Sequence, residues 1–161
     1  MIPRQRFTVN NQLSAAHIGR KAHRSLSVLL FLACGMWLIG LGFYFAVLRP
    51  PLLPEDARYI GVRAELNQSA LPGLTGWLRH VFTVMGGFMV ASGVLTSFLA
   101  ATAVSSRQKG TGMVLVVVGL ATVGTMSWTN FAIDSDFKWL LVAPVVLWFA
   151  GIAVYARARR E

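Results

Sequence analysis

Four long blocks of apolar residues, nearly free of charge, constrain the fold of this chain more than any other feature. They cover approximately residues 26–48, 78–104, 113–131 and 139–156. The first block reaches roughly 34 Å as a helix, which is enough to cross a hydrocarbon core of about 30 Å. Because lipid offers no hydrogen-bond partners, the backbone of such blocks must be satisfied within helices. The blocks predict an all-α membrane protein, a four-transmembrane-helix bundle that occupies residues 26–156.

The composition argues against an ordinary water-soluble domain. Hydrophobic residues make up 55% of the 161 residues, and charged residues make up only 13%. A soluble domain contains about twice that share of charged residues, because polar groups must cover its surface. Lipid is therefore the expected solvent of the apolar blocks, and the bilayer is the first expected partner.

The positive charge of the chain predicts its orientation. The net charge is +9, and ten of the 15 Lys and Arg lie in the segment 1–25, the loop 105–111 and the tail 157–161. Positive residues accumulate on the cytoplasmic side of membrane proteins. Both termini are therefore expected in the cytoplasm. Nucleic acid is not an expected partner, because the basic residues flank apolar blocks instead of lining a soluble surface.

The segment between the first two blocks predicts a short amphipathic helix on the outer side. Pro50 and Pro51 end the first block. Pro54 suits the first turn of a helix, and the acidic residues that follow suit the positive end of its dipole. Four apolar residues recur at helical spacing: Leu53, Ala57, Ile60 and Ala64. We expect this helix to cap the outer face of the bundle. In the fourth block, Pro144 predicts a kink.

Small residues predict where the helices approach each other closely. The second and third blocks are expected to pack tightly together through such residues. The predicted packing positions are Gly35, Gly40, Gly86, Gly87, Ala91, Gly112, Gly119 and Thr122. Aromatic residues at the block ends predict interface anchors, because an indole ring enters lipid while its N–H stays hydrated. The predicted anchors are Trp77, Trp128 and Trp139 on the outer side and Tyr155 on the inner side.

Few residues suggest chemistry. The block interiors contain no ionisable side chain, which argues against a charged pathway across the bilayer. His80, near the start of the second block, is a candidate contact for a quinone or haem, and a hydrated interfacial His is the alternative. Asp134 and Asp136 are candidate ligands of a hard cation, or they shape a solvated turn before the fourth block. Cys34, as the single cysteine, allows no intramolecular disulfide. The sequence predicts no cofactor and no catalytic residue.

The order of features along residues 26–156 supplies a family resemblance. The first block ends at Arg49-Pro50-Pro51, a Pro54-Glu55-Asp56 segment follows, and Arg79 and Gly86-Gly87 lie near the start of a long second block. This pattern resembles small four-helix bacterial membrane proteins of the DoxX-like type. The resemblance implies a four-helix bundle in the inner membrane and carries over no site residue. The basic segment 1–25 departs from the pattern.

Three functions of different classes fit these observations. The first is a non-catalytic accessory or scaffold subunit that packs against partner membrane proteins or against a second copy of itself. The second is a membrane protein that handles a small molecule or lipid in a pocket at the outer face, near Tyr59, His80 and Asp134. The third is a redox subunit that uses His80 with a quinone or with a haem shared between chains.

Overall fold

The computed structural model describes residue 23, residues 25–61 and residues 73–160. In this part of the chain the structure is all-helical, without a strand, which confirms the predicted all-α class at this level. The described ranges contain five helices of more than four residues, namely α1 (Ser25–Leu48), α2 (Pro54–Ile60), α3 (Leu74–Val104), α4 (Thr111–Ala132) and α5 (Val142–Arg160). The predicted basic segment 1–25 lies largely outside the described residues.

Three helices are long and apolar enough to cross a membrane, namely α1, α3 and α4. The apolar part of α5, Val142–Ala158, is shorter. The fourth helix begins three residues later than expected, because residues 136–141 form successive turns. Pro144 consequently lies in the first turn of α5, where its missing N–H would have no helical partner. The predicted kink at Pro144 therefore has no physical basis in this structure.

Glycines bring α1 and α3 into backbone contact. A Cβ atom on Gly86 would lie 2.5 Å from the carbonyl oxygen of Gly42. A Cβ atom on Gly93 would lie 2.5 Å from the carbonyl oxygen of Gly35. Only a hydrogen fits at these positions, as is common where membrane helices pack closely. The face of α3 marked by Gly86 thus packs on α1, whereas the sequence led us to expect contact with α4.

The small face of α4 packs on α5. Gly119 lies directly against the indole ring of Trp148, whose Nε1–H donates a hydrogen bond of 2.9 Å to the Leu115 carbonyl. Gly112 approaches the Tyr155 ring more loosely, because its Cβ would lie 3.6 Å from a ring carbon. The closest contact between α4 and α5 is therefore the packing of the Trp148 ring against Gly119.

The remaining predicted packing positions make no close contact between helices. A Cβ atom on Gly40 or Gly87 would meet nothing within 4 Å, and Ala91 is exposed. The Thr122 hydroxyl donates to the Val118 carbonyl of its own helix at 2.6 Å. Gly40, Gly87 and Ala91 therefore form free surface.

The best-packed part of the bundle lies toward the loop that joins α3 to α4. Phe31 of α1 meets Trp148 of α5 edge to face, with ring centres 5.3 Å apart. The buried thiol of Cys34 donates to the Pro144 carbonyl at 3.7 Å. In the loop, Arg107 donates to the Ala158 carbonyl. These contacts join α1 and the α3–α4 loop to α5. We call the end of the bundle away from this loop, formed by residues 44–61, 73–90 and 125–141, the α2 end.

Candidate functional site

Local chemistry sets the short length of α2. The Leu53 N–H donates to the Asp56 carboxylate at 2.9 Å and thereby caps the first turn, which Pro54 opens. Gly61 adopts a left-handed conformation with φ of 72° and ends the helix. α2 therefore ends at Ile60, and Ala64, the last position of the predicted helical spacing, lies outside the described residues.

Arg49 links three helices at the α2 end. Its Nη2 donates to the Asp56 carboxylate at 2.7 Å, and its side chain is only 7% exposed. Its guanidinium carbon lies 3.7 Å from the centre of the Phe82 ring in α3 and 5.4 Å from that of Phe45 in α1. A desolvated guanidinium over an aromatic face contributes about 2 kcal/mol in favourable cases. Arg49 therefore holds α2 and α3 to the end of α1.

A second set of contacts ties α2 to the turn before α5. The buried Ser135 hydroxyl donates to the buried Glu55 carboxylate at 3.4 Å. Nearby, Arg58 pairs with Asp136 at 2.7 Å on the exposed side of α2. Helix α2 is thus joined to the end of α1 and to the turn before α5, and it covers this end of the bundle.

The two candidate metal ligands, Asp134 and Asp136, form ion pairs with different basic side chains. Asp134 pairs with Lys138 one turn later in the chain, and Asp136 pairs with Arg58. The hydrogen bond from Lys138, and then its charge, lower the pKa of Asp134 below the ordinary value of 3.8. The hydrogen bond with Asp136 raises the pKa of Arg58. Across the described residues, no group of three or more His, Cys, Asp or Glu side chains is placed to hold a metal ion. The geometry is that of a solvated turn.

A groove of about 510 Å³ separates α3 from α4 at the α2 end. On α3 its lining extends from Phe82 to Ser92, a distance of about 15 Å along a helix. On α4 it extends from Ala121 to Asn130, and α1 contributes Leu38 and Phe45. Its volume falls in the range of ordinary ligand pockets, about 300–1,000 Å³. The groove is therefore large enough for a ligand, and it lies between the two helices that the sequence led us to expect in contact.

The wall of the groove is mostly apolar, and its charged groups lie at one end. The hydroxyls of Thr122 and Thr125 donate to carbonyls of α4, and the Ser92 hydroxyl donates to the Phe88 carbonyl of α3, so these hydroxyls are satisfied within their own helices. The Asn130 amide donates to the Met126 carbonyl at 2.9 Å. The ion pair of Arg49 and Asp56 lines the same end as Asn130. The groove therefore combines an apolar length with a polar head.

The other predicted site residues lie outside the groove. His80 is exposed on α3 and does not line it, and its redox role stays a prediction. Trp77, Trp128 and Trp139 are exposed at the α2 end. Tyr155 is instead buried, at 3% exposure, with its hydroxyl 3.5 Å from the Gln108 carbonyl. Its ring packs inside the protein, so the prediction of a lipid-facing anchor was wrong for this residue.

Sequence reasoning missed the central role of Arg49. The residue follows the first block directly, and the positive-inside count used it only as a charge. The sequence feature that could have indicated this role is Asp56, which lies seven positions later, beyond Pro50 and Pro51. The groove could not be predicted from the sequence, because the same apolar residues would also fit two helices in close contact. Comparison of the chain with family models, with curated proteins and with solved structures finds no match.

Proposed function

We propose that this is an integral membrane protein whose helices α1, α3, α4 and α5 cross the bilayer, and that it binds one apolar chain of a membrane amphiphile in the groove between α3 and α4. The observation that carries the proposal is the groove, with its apolar length and its polar end at Arg49. The DoxX-like resemblance agrees with the four crossings and adds nothing about a ligand.

The membrane location is supported by apolar side chains on the outside of the long helices. Phe88 and Leu95 of α3 and Met113 of α4 are each more than 60% exposed. Apolar surface on this scale is typical of contact with lipid or with another protein. For the fourth crossing, apolar residues of the 136–141 turns extend the apolar length of α5 at the α2 end. We propose that this end lies outside the cytoplasm, and the distribution of Lys and Arg supports that orientation.

The polar end of the groove favours an amphiphile over a simple hydrocarbon. A chain that moves from lipid into an apolar groove gains little hydrophobic free energy, because lipid tails are equally apolar. Selective binding must therefore come from close packing and from polar contacts near the headgroup. Three methionines line the groove, Met85, Met89 and Met126, and their flexible side chains adapt to chains of different shape. Arg49, Asp56 and Asn130 supply the polar contacts.

A substitution that fills the groove tests the proposal. Ala121 is exposed and lines the groove, so Ala121→Phe places a ring inside it. Ala153→Phe is the matched control, because Ala153 is exposed on α5 and does not line the groove. We expect amphiphile that co-purifies in mild detergent, quantified by mass spectrometry, to fall in Ala121→Phe and to persist in Ala153→Phe. Equal amounts in both variants and in the wild type would contradict the proposal.

A second candidate is the accessory or scaffold subunit, and a different surface supports it. Gly87 and Ala91 are small residues four positions apart on an uncovered part of α3. Such pairs are common at contacts between membrane helices. We expect Gly87→Leu to lower the mass of the detergent-solubilised complex and Ala121→Phe to leave it unchanged. A monomeric wild type, under conditions that preserve other membrane complexes, would exclude this candidate.

A further inference from the structure

A second cavity lies beside the groove and contains a different kind of polar group. It has a volume of about 220 Å³ and lies between α1, the start of α2 and residues 130–141. Trp37, Tyr44 and Phe137 supply aromatic surface, and Glu55 supplies a carboxylate. Arg49 and Asp56 line both the cavity and the groove, so their ion pair is shared by the two.

Glu55 differs from the other carboxylates of the described residues. The described residues contain four carboxylates in all, and Asp56, Asp134 and Asp136 each form an ion pair with a basic side chain. Glu55 forms none, and its hydrogen-bond partner is the Ser135 hydroxyl at 3.4 Å. Glu55 is nevertheless the most buried of the four, at 3% exposure. A buried carboxylate with so little compensation is costly, unless a cation or a proton joins it.

Among the described residues, no basic side chain forms an ion pair with Glu55. Arg49 is engaged by Asp56, and Lys138 is engaged by Asp134. Arg58 is engaged by Asp136 on the exposed side of α2, and its charge acts on Glu55 only beyond ion-pair distance. Within the described part of the chain, Glu55 therefore lies beside the cavity without a direct cationic partner.

The lining of the cavity selects among cations. A hard cation such as Ca²⁺ or Mg²⁺ takes about six oxygen ligands, whereas this lining is largely aromatic and aliphatic. An organic ammonium ion binds favourably to aromatic faces and also donates to a carboxylate. The Nε1–H of Trp37 is buried and, among the described residues, has no hydrogen-bond partner. That donor favours a ligand that also contains an acceptor, such as a hydroxyl group.

We propose that this cavity binds a small organic ammonium ion with an aromatic or aliphatic body, with Glu55 as its counter-ion and Trp37 as a donor to an oxygen of the ligand. The site is distinct from the groove between α3 and α4, and it does not depend on an amphiphile being bound there. It adds recognition of a soluble cation at the α2 end.

Two probes of the same shape test the role of charge. Tyramine has an ammonium group and a hydroxyl, and tyrosol replaces that ammonium by a neutral hydroxyl. Both are titrated calorimetrically into the full chain in nanodiscs of zwitterionic lipid, with empty nanodiscs as the blank. We expect tyramine to bind roughly 10- to 100-fold more tightly than tyrosol, as a hydrogen bond to a charged group implies. Equal affinities, or tyramine heats equal to those of empty nanodiscs, would overturn the proposal.

Variants locate the site. Glu55→Gln keeps the shape and removes the charge, so we expect tyramine affinity to fall by the same factor, roughly 10- to 100-fold. Ala121→Phe in the groove and Ala153→Phe on the exposed face of α5 should leave that affinity unchanged. Trp37→Phe should weaken tyramine binding by a smaller factor. Unchanged binding in Glu55→Gln would overturn the proposal, as would an equal loss in Ala153→Phe. If Glu55→Gln does not fold, the comparison of tyramine with tyrosol on the wild type decides.

Discussion

The guanidinium carbon of Arg49 lies 3.7 Å from the centre of the Phe82 ring, so a cation–π contact holds the end of α1 against α3. Phe82→Leu keeps an apolar side chain and removes the aromatic face. We expect it to lower the free energy of unfolding by about 1–2 kcal/mol. Phe88→Leu is the matched control, because Phe88 is exposed on the same helix. Unfolding in one detergent measures both, and equal losses would show that the ring acts only through its bulk.

Gly86 and Gly87 are neighbours in sequence with opposite surroundings. A Cβ on Gly86 would lie 2.6 Å from the Ala46 backbone nitrogen, and one on Gly87 would meet nothing within 4 Å. Gly86→Ala should therefore force α1 and α3 apart and lower the unfolding temperature. Gly87→Ala should leave that temperature unchanged or raise it, because alanine favours a helix by about 1 kcal/mol relative to glycine. Similar losses in both variants would contradict the backbone contact of these helices.

The turn before α5 should respond to acid through Asp134. Lys138 lowers the pKa of this carboxyl below 3.8, so folding favours its ionised form. That contribution is complete above about pH 4 and is lost as the pH falls through the lower pKa of the folded state. It is small, because the pair is exposed to solvent. The unfolding temperature of Asp134→Asn should lie slightly below that of the wild type at pH 6, and the difference should vanish in strong acid. A difference that persists there would have another origin.

The proposed topology is tested by single cysteines in a Cys34→Ala background. Tyr59 and Ser106 are exposed at opposite ends of the bundle. In intact cells or right-side-out vesicles, a membrane-impermeant maleimide should label Tyr59→Cys from outside and Ser106→Cys only after permeabilisation. Labelling of both from outside would reject the proposed arrangement, and the reversed pattern would invert it.

The helices could be predicted because their signals are local. Apolar blocks extend over many residues, and Pro50 with Pro51 follows one residue after the end of α1. The end of α2 and the start of α5 were harder to predict. Gly61 ends α2 through a left-handed conformation, which many glycines do not adopt. The turns of residues 136–141 contain apolar residues that resemble a helix in composition, so the start of α5 was placed too early.

The candidate sites depend on relationships that a single sequence does not display. Glu55 meets Ser135 across 80 positions of the chain. Which glycine faces a neighbouring helix depends on helix order, so Gly86 and Gly87 were equivalent in the sequence and differ in the fold. The pair of Arg49 and Asp56 was closer to being predictable, because only six residues, three of them prolines, separate them.

Different residues of this fold hold the helices together and line its open spaces. Phe31, Trp148 and the contacting glycines hold the bundle together, whereas Ala121, Met126 and Glu55 line the groove and the cavity. In many proteins the same residues serve stability and recognition, and a change that improves one harms the other. Here most of these positions are separate, because Phe31 and Trp148 line neither the groove nor the cavity, whereas Arg49, Asp56 and Phe82 both join the helices and line these spaces. A substitution at Ala121 or Met126 should therefore change the shape of the groove at little cost in stability, whereas a substitution at Arg49 should affect both.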